Sequence, residues 1–273
     1  MNNIFIENDN ASRKLRTQLS YQTALGQYRR VRGLARISWF TWIITIVTSA
    51  VWCFTAYQVA LAAGAHSFHD IIANVMNNAV NVQDNDLMIQ GQYWRFITPI
   101  FLHANLLHVG LNMLNFFVLG IFLERLVGHL RFLLIYVLTG VISIIASFYF
   151  MPQEISVGAS GAIFGLVGAY SVFVLTHRRA FRNNGYPALL WLVLIIGVNL
   201  SIGLFVPNVD NYAHLGGLLS GCLLGWWFMP LYTLSPNKAL IDVHSLSRRW
   251  PLALLTIVGT LILAILARYL IGG

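Results

Sequence analysis

Charge is scarce in this chain. Only 10% of its 273 residues are charged and nine are acidic, against 58% that are hydrophobic. With a mean hydropathy of +0.69, that balance excludes an ordinary soluble domain and points to an all-α polytopic membrane protein. Cysteine is nearly absent too. Cys53 and Cys222 both fall inside apolar segments, with no zinc-site or disulfide spacing, and are read as small buried hydrophobes. No cleavable signal sequence is expected, because residues 1–36 are polar and mixed in charge before the first apolar run. Three membrane chemistries lose their reagents. Neither His103 nor His108 is followed by Glu, so a His-Glu-x-x-His zinc site is missing. An aspartyl protease needs two carboxylates within spans, and an ion pump needs acids along its path; the predicted spans supply neither.

The apolar runs predict seven spans: Ile37–Ala62, Leu106–Leu123, Phe132–Met151, Gly161–Thr176, Pro187–Gly203, Ala213–Leu231 and Leu252–Ile271. Fifteen of the 17 basic residues then fall on one side, leaving only Arg95 and Arg268 for the other. This asymmetry places the amino terminus in the cytoplasm and explains the net charge of +8 without nucleic acid. Residues 1–36 form a basic cytoplasmic segment, 37–231 a six-span core with an outer loop at 64–105, 232–251 a cytoplasmic linker, and 252–273 a seventh span. Within the outer loop, residues 69–76 are amphipathic and suit either an interfacial helix or a solvated loop.

The alternation of spans brings polar residues together. His108 and Asn112 occupy the outer half of the second span, four residues apart and so on one face. Ser160 opens the fourth span and His214 the sixth, both at the outer end. A lone serine in a glycine-rich membrane helix is ordinarily a packing residue, and a lone membrane histidine serves packing as often as function. Four such groups at one depth argue for chemistry instead. His214 is the base that makes the Ser160 hydroxyl nucleophilic. The Ser160 N–H, the Asn112 amide and the His108 ring are donors for an oxyanion, each contributing about 3 kcal/mol to a transition state. No acid falls in the outer half of a span, so a dyad is expected rather than a triad. Gly158 and Gly161 keep side chains away from the serine, and Gly217 and Gly221 face Gly161 and Gly165 as strips for close helix approach. His103 is read as a structural hydrogen-bond donor; His66, His69, His129, His177 and His244 are read as solvated. Ala162 stands where a soluble hydrolase elbow carries its second glycine.

In order along the chain, these pieces resemble the rhomboid intramembrane serine proteases. The resemblance is carried by Trp94-Arg95, by His103 with His108-x-x-x-Asn112, and by Gly120-x-x-x-Glu124. Gly158-Ala159-Ser160-Gly161 and Ala213-His214-x-x-Gly217-x-x-x-Gly221 complete it, covering about Tyr93 to Gly221. It implies a rhomboid-like six-helix core with an additional carboxy-terminal helix, Ser160 as nucleophile and His214 as general base. His108, Asn112 and the Ser160 amide would form the oxyanion hole, and Trp94 and Arg95 would belong to an outer loop lying partly in the membrane. Phe164 stands where the family commonly has Tyr, keeping the ring that stacks on the histidine. The implied substrates are single-span membrane proteins cut within or beside their helices, with no cofactor or metal. The compartment that fits is a bacterial plasma membrane with the site near its extracytoplasmic face. A catalytically silent relative that binds membrane clients is the alternative, and a solute transporter a more distant one.

Overall fold

A computed structural model describes residues 37–64, 67, 88, 90–151, 157–177, 209–234 and 240–271. The basic segment 1–36, the amphipathic stretch 69–76 and the span expected at Pro187–Gly203 lie outside the described residues. Six helices are described: α1 (Trp39–Ala62), α2 (Leu106–Val127), α3 (His129–Phe150), α4 (Ser160–Thr176), α5 (Asn211–Phe228) and α6 (Leu246–Ile271). Two 3₁₀ turns, Tyr93–Phe96 and Thr98–Phe101, precede α2, and a two-stranded antiparallel hairpin, β1 (Tyr232–Leu234) with β2 (Leu240–Asp242), links α5 to α6. Among the described residues, α1, α2, α3 and the Leu246–Leu266 part of α6 are each long and apolar enough to cross a membrane. This is a multi-pass membrane protein.

α4 is the hub. Every residue from Gly161 to Ala169 is buried, the pattern of a helix apolar all round. It rests between α3 and α5, and glycines set the distance. A Cβ on Gly217 would overlap the Gly161 carbonyl oxygen, one on Gly221 the Gly165 carbonyl oxygen, and one on Gly225 would lie 2.6 Å from the Ala169 Cα. On the other side, Cβ atoms at Gly161 and Gly165 would overlap Ser143 and Thr139 of α3. Small residues replace the missing hydrophobic drive between helices in lipid. At 17 residues, α4 rises about 26 Å, short of the roughly 30 Å hydrocarbon core.

α1 packs outside, against α2. The Ser38 side chain makes no capping bond to α1, and the buried Glu124 of α2 does that work instead. Its carboxylate accepts from the Phe40 N–H (3.0 Å), the Thr41 N–H (2.8 Å) and the Thr41 hydroxyl (2.7 Å), and it also bonds His129 Nδ1. Gly128, at φ +90°, is the single residue between α2 and α3, in a left-handed conformation that suits glycine.

Four features differ from the sequence reading. The stretch read as a plain linker, 232–251, holds the hairpin and the first turn of α6, which begins at Leu246 and carries Pro251 inside it. The Arg249 Nη1 donates to the Trp227 carbonyl at 3.1 Å, holding that early turn against α5. Cys53 is exposed on the outside of α1 and Cys222 only half-buried, so apolar sequence context did not imply burial where lipid is the solvent. His177 is buried, with Nδ1 on the Phe173 carbonyl and Nε2 accepting from the Tyr232 N–H. His129 is bound to Glu124 rather than simply solvated.

Gly221→Leu is expected to lower stability by about 3 kcal/mol or more, as overpacking against backbone does. Gly259→Ala, where a Cβ meets nothing within 4 Å, gains up to about 1 kcal/mol of helix propensity. Reversible denaturation in mixed micelles reads both.

Candidate active site

Ser160 is the first residue of α4, where the opening N–H groups have no helical acceptor. The approach to it is strained on purpose. Gly158 has φ +119°, a backbone conformation that an L side chain resists. Its N–H donates to the Pro99 carbonyl at 2.9 Å, and the next amide, of Ala159, donates to His103 Nε2 at 3.3 Å. The serine loop is therefore pinned to the stretch that runs from the second 3₁₀ turn to α2. His103 was expected as a donor; at Nε2 it accepts. Burial, with His108 beside it, holds its pKa down to about 3, so the ring stays neutral and keeps that lone pair.

His214 lies in the first turn of α5, which starts at an Asp210 cap accepting from the Ala213 N–H at 2.8 Å. Its Nε2 stands 2.9 Å from the Ser160 Oγ, an ordinary hydrogen-bond length. With Nε2 accepting the hydroxyl proton, Nδ1 carries the ring hydrogen, and it is buried with no partner among the described residues. The Phe164 ring stacks on the imidazole, centroids 4.5 Å apart and planes 22° from parallel. Phe164 is one turn past Ser160, so a single helix supplies both the hydroxyl and the surface that fixes the ring facing it.

His108 and Asn112 reach the same place from α2. A Cβ built on Gly158 would sit 2.8 Å from His108 Nε2 and 3.5 Å from Asn112 Nδ2, which puts both side chains against the backbone just before Ser160. Asn112 is buried, and His108 stands edge-on to His103 with centroids 5.0 Å apart. The Asn105 side chain caps α2 by accepting from the His108 N–H at 2.8 Å, setting the rotation of this face. Gly161 and Gly217 touch through the α4–α5 seam behind the serine. Trp94 and Arg95 lie farther out. Trp94 is 59% exposed and the Arg95 Nε donates to Gln92 at 2.7 Å, while Phe96 beside them is buried against Phe148.

The arrangement is a serine hydroxyl within bonding distance of an imidazole, with an amide and a second imidazole against the backbone just before it. Residues 90–231 match the family model described as Rhomboid domain. The chain belongs to the rhomboid family. Its relatives include the Rhomboid protease GluP of Bacillus subtilis (strain 168), 43% identical over 144 residues, 52% of this chain and 27% of that one. RHOMBOID-like protein 1 of Arabidopsis thaliana is 36% identical over 212 residues, 70% of this chain and 54% of the relative. Rhomboid-type serine protease 2 of Emericella nidulans is 37% identical over 147 residues, 54% and 28% respectively. The chain thus spans about half or less of the length of these curated relatives.

One support of the site was missed in the sequence, the acceptor role of His103; so was a contact away from the site, the cap that Glu124 places on α1. A charge near the end of a span was the available signal for the second, since an unpaired one is costly there.

Because the folded protein keeps His103 neutral and an unfolded chain protonates it near pH 6.5, stability falls as pH drops below that value. The thermal midpoint is expected to fall more steeply between pH 7.5 and 5 in the wild type than in His103→Asn. Parallel slopes would show that His103 does not carry the effect.

Proposed function

We propose that this chain is an intramembrane serine endopeptidase that cuts single-span membrane proteins within or beside their helices. The observation that carries the reading is the 2.9 Å bond between the Ser160 hydroxyl and His214 Nε2. Proton transfer to Nε2 frees Oγ to attack a peptide carbonyl. The oxyanion takes up donors from the free N–H groups at the start of α4, from Asn112 Nδ2 and from the His108 ring. His214 then returns its proton to the leaving amine, and a water activated by the same nitrogen releases the acyl group. No carboxylate takes part in this scheme; the Phe164 stack orients the imidazole instead.

A helical carbonyl is engaged in its own hydrogen bond, so the substrate must unwind before Ser160 reaches it. Helix-weakening residues near the cut favour this, and the glycine-lined approach at Gly158 and Gly161 favours a small side chain before the scissile bond. Further parts of the proposal are a cytoplasmic amino terminus, a site near the extracytoplasmic face of a bacterial plasma membrane, and a six-plus-one order of spans. The first two rest on the distribution of basic residues. The outer loop around Trp94 and Arg95 would border the substrate's path.

Ser160→Ala is expected to abolish cleavage of a tagged single-span substrate and labelling by a serine-directed phosphonate, with the fold retained by circular dichroism. Equal cleavage by the purified mutant would reject the reading. Asn112→Ala should lower kcat about 100-fold with KM little changed, the size expected for one oxyanion donor.

A further inference from the structure

At the end of the helix pair opposite Ser160 and His214, α4 and α5 part around a cavity of about 260 Å³. That is smaller than the roughly 300–1,000 Å³ of sites for drug-sized ligands, and its wall is divided in character. Val172 of α4, Trp226 of α5 and Met229 just past its end form an apolar side, while Thr176, His244 and Arg249 form a polar one. Trp226 is 64% exposed, so the apolar side opens at the protein surface.

The charge here is unbalanced. Arg131, the neighbouring guanidinium, is neutralised by Asp242 at 2.8 Å. Arg249 has no carboxylate partner among the described residues; its Nη1 donates to the Trp227 carbonyl, which fixes the guanidinium and leaves other N–H groups available. His244 feels the excess: burial first, and then the Arg249 guanidinium, lower its pKa from the ordinary imidazole value. A fixed guanidinium, the Thr176 hydroxyl and an apolar wall together match a phosphate joined to an acyl chain. Basic pockets between spans are where such headgroups settle.

We propose that this cavity holds the phosphate headgroup of an anionic phospholipid, with its acyl chain running along Val172 and Trp226. The inference does not depend on the protease reading. The test uses the purified full chain in micelles containing equal phosphatidylglycerol and phosphatidylcholine of the same acyl chains, with retained lipid counted by native mass spectrometry. One phosphatidylglycerol should be retained about fivefold over phosphatidylcholine, the attraction expected of one basic side chain. Arg249→Gln and Val172→Trp should each erase that preference, the first by removing the charge and the second by filling the cavity. Arg248→Gln, which removes an equal charge outside the cavity wall, should keep it. Should Arg249→Gln not fold, Val172→Trp decides alone. Equal retention of the two lipids, loss of preference in Arg248→Gln, or preference persisting in Val172→Trp would overturn the proposal. So would displacement of the lipid by inorganic phosphate at equal concentration, which would mark a site for the free anion.

Discussion

The close approach of α4 and α5 is the constraint on which the rest depends. Two backbones meet with glycine on both faces, Gly161 and Gly165 against Gly217 and Gly221. No softer contact would fix the distance between a serine on one helix and a histidine on the other. Lipid offers apolar surfaces no advantage in leaving it, so the specificity of this seam comes from shape. The 2.9 Å separation of Oγ and Nε2 follows from the seam directly, because both residues lie in the first turn of their helices and just beyond its last glycines.

A second layer holds the serine from outside the seam. The Pro99 carbonyl and His103 Nε2 accept the two amides before Ser160, and α2 brings His108 and Asn112 against Gly158. The segment that enters α2 and the helix itself thus act on one three-residue loop. The pinning makes use of polar groups that would otherwise be orphaned in a water-poor setting.

Much of this was legible in the sequence because a membrane enforces alternation. Once the spans are counted, Ser160, His214, His108 and Asn112 fall on one side, whatever their separation along the chain. Most helix ends were legible to within a few residues from where the apolar runs stop, the start of α6 at Leu246 rather than Leu252 being the exception. What was not legible was long-range satisfaction of polar groups. Nothing near His177 indicates that it will bridge Phe173 and Tyr232, and a local pattern treats it as a solvated end. The hairpin at 232–242 was missed for a similar reason: its two strands are three residues each, too short for periodicity to register. Exposure followed a different rule again, since Cys53 and much of α1 face outward while being apolar. Hydrophobicity reports contact with either protein or lipid, and only packing tells them apart.

The cap that Glu124 places on α1 has a consequence for how the chain is made. Thr41 leaves the ribosome 83 residues before its acceptor, so the opening amides of the first helix wait for water or lipid headgroups in the meantime. The carboxylate, for its part, has no reason to enter an apolar layer alone. The two segments therefore gain by entering the apolar layer together, with partner and cap arriving at once, which couples the first span to one that ends near the middle of the chain.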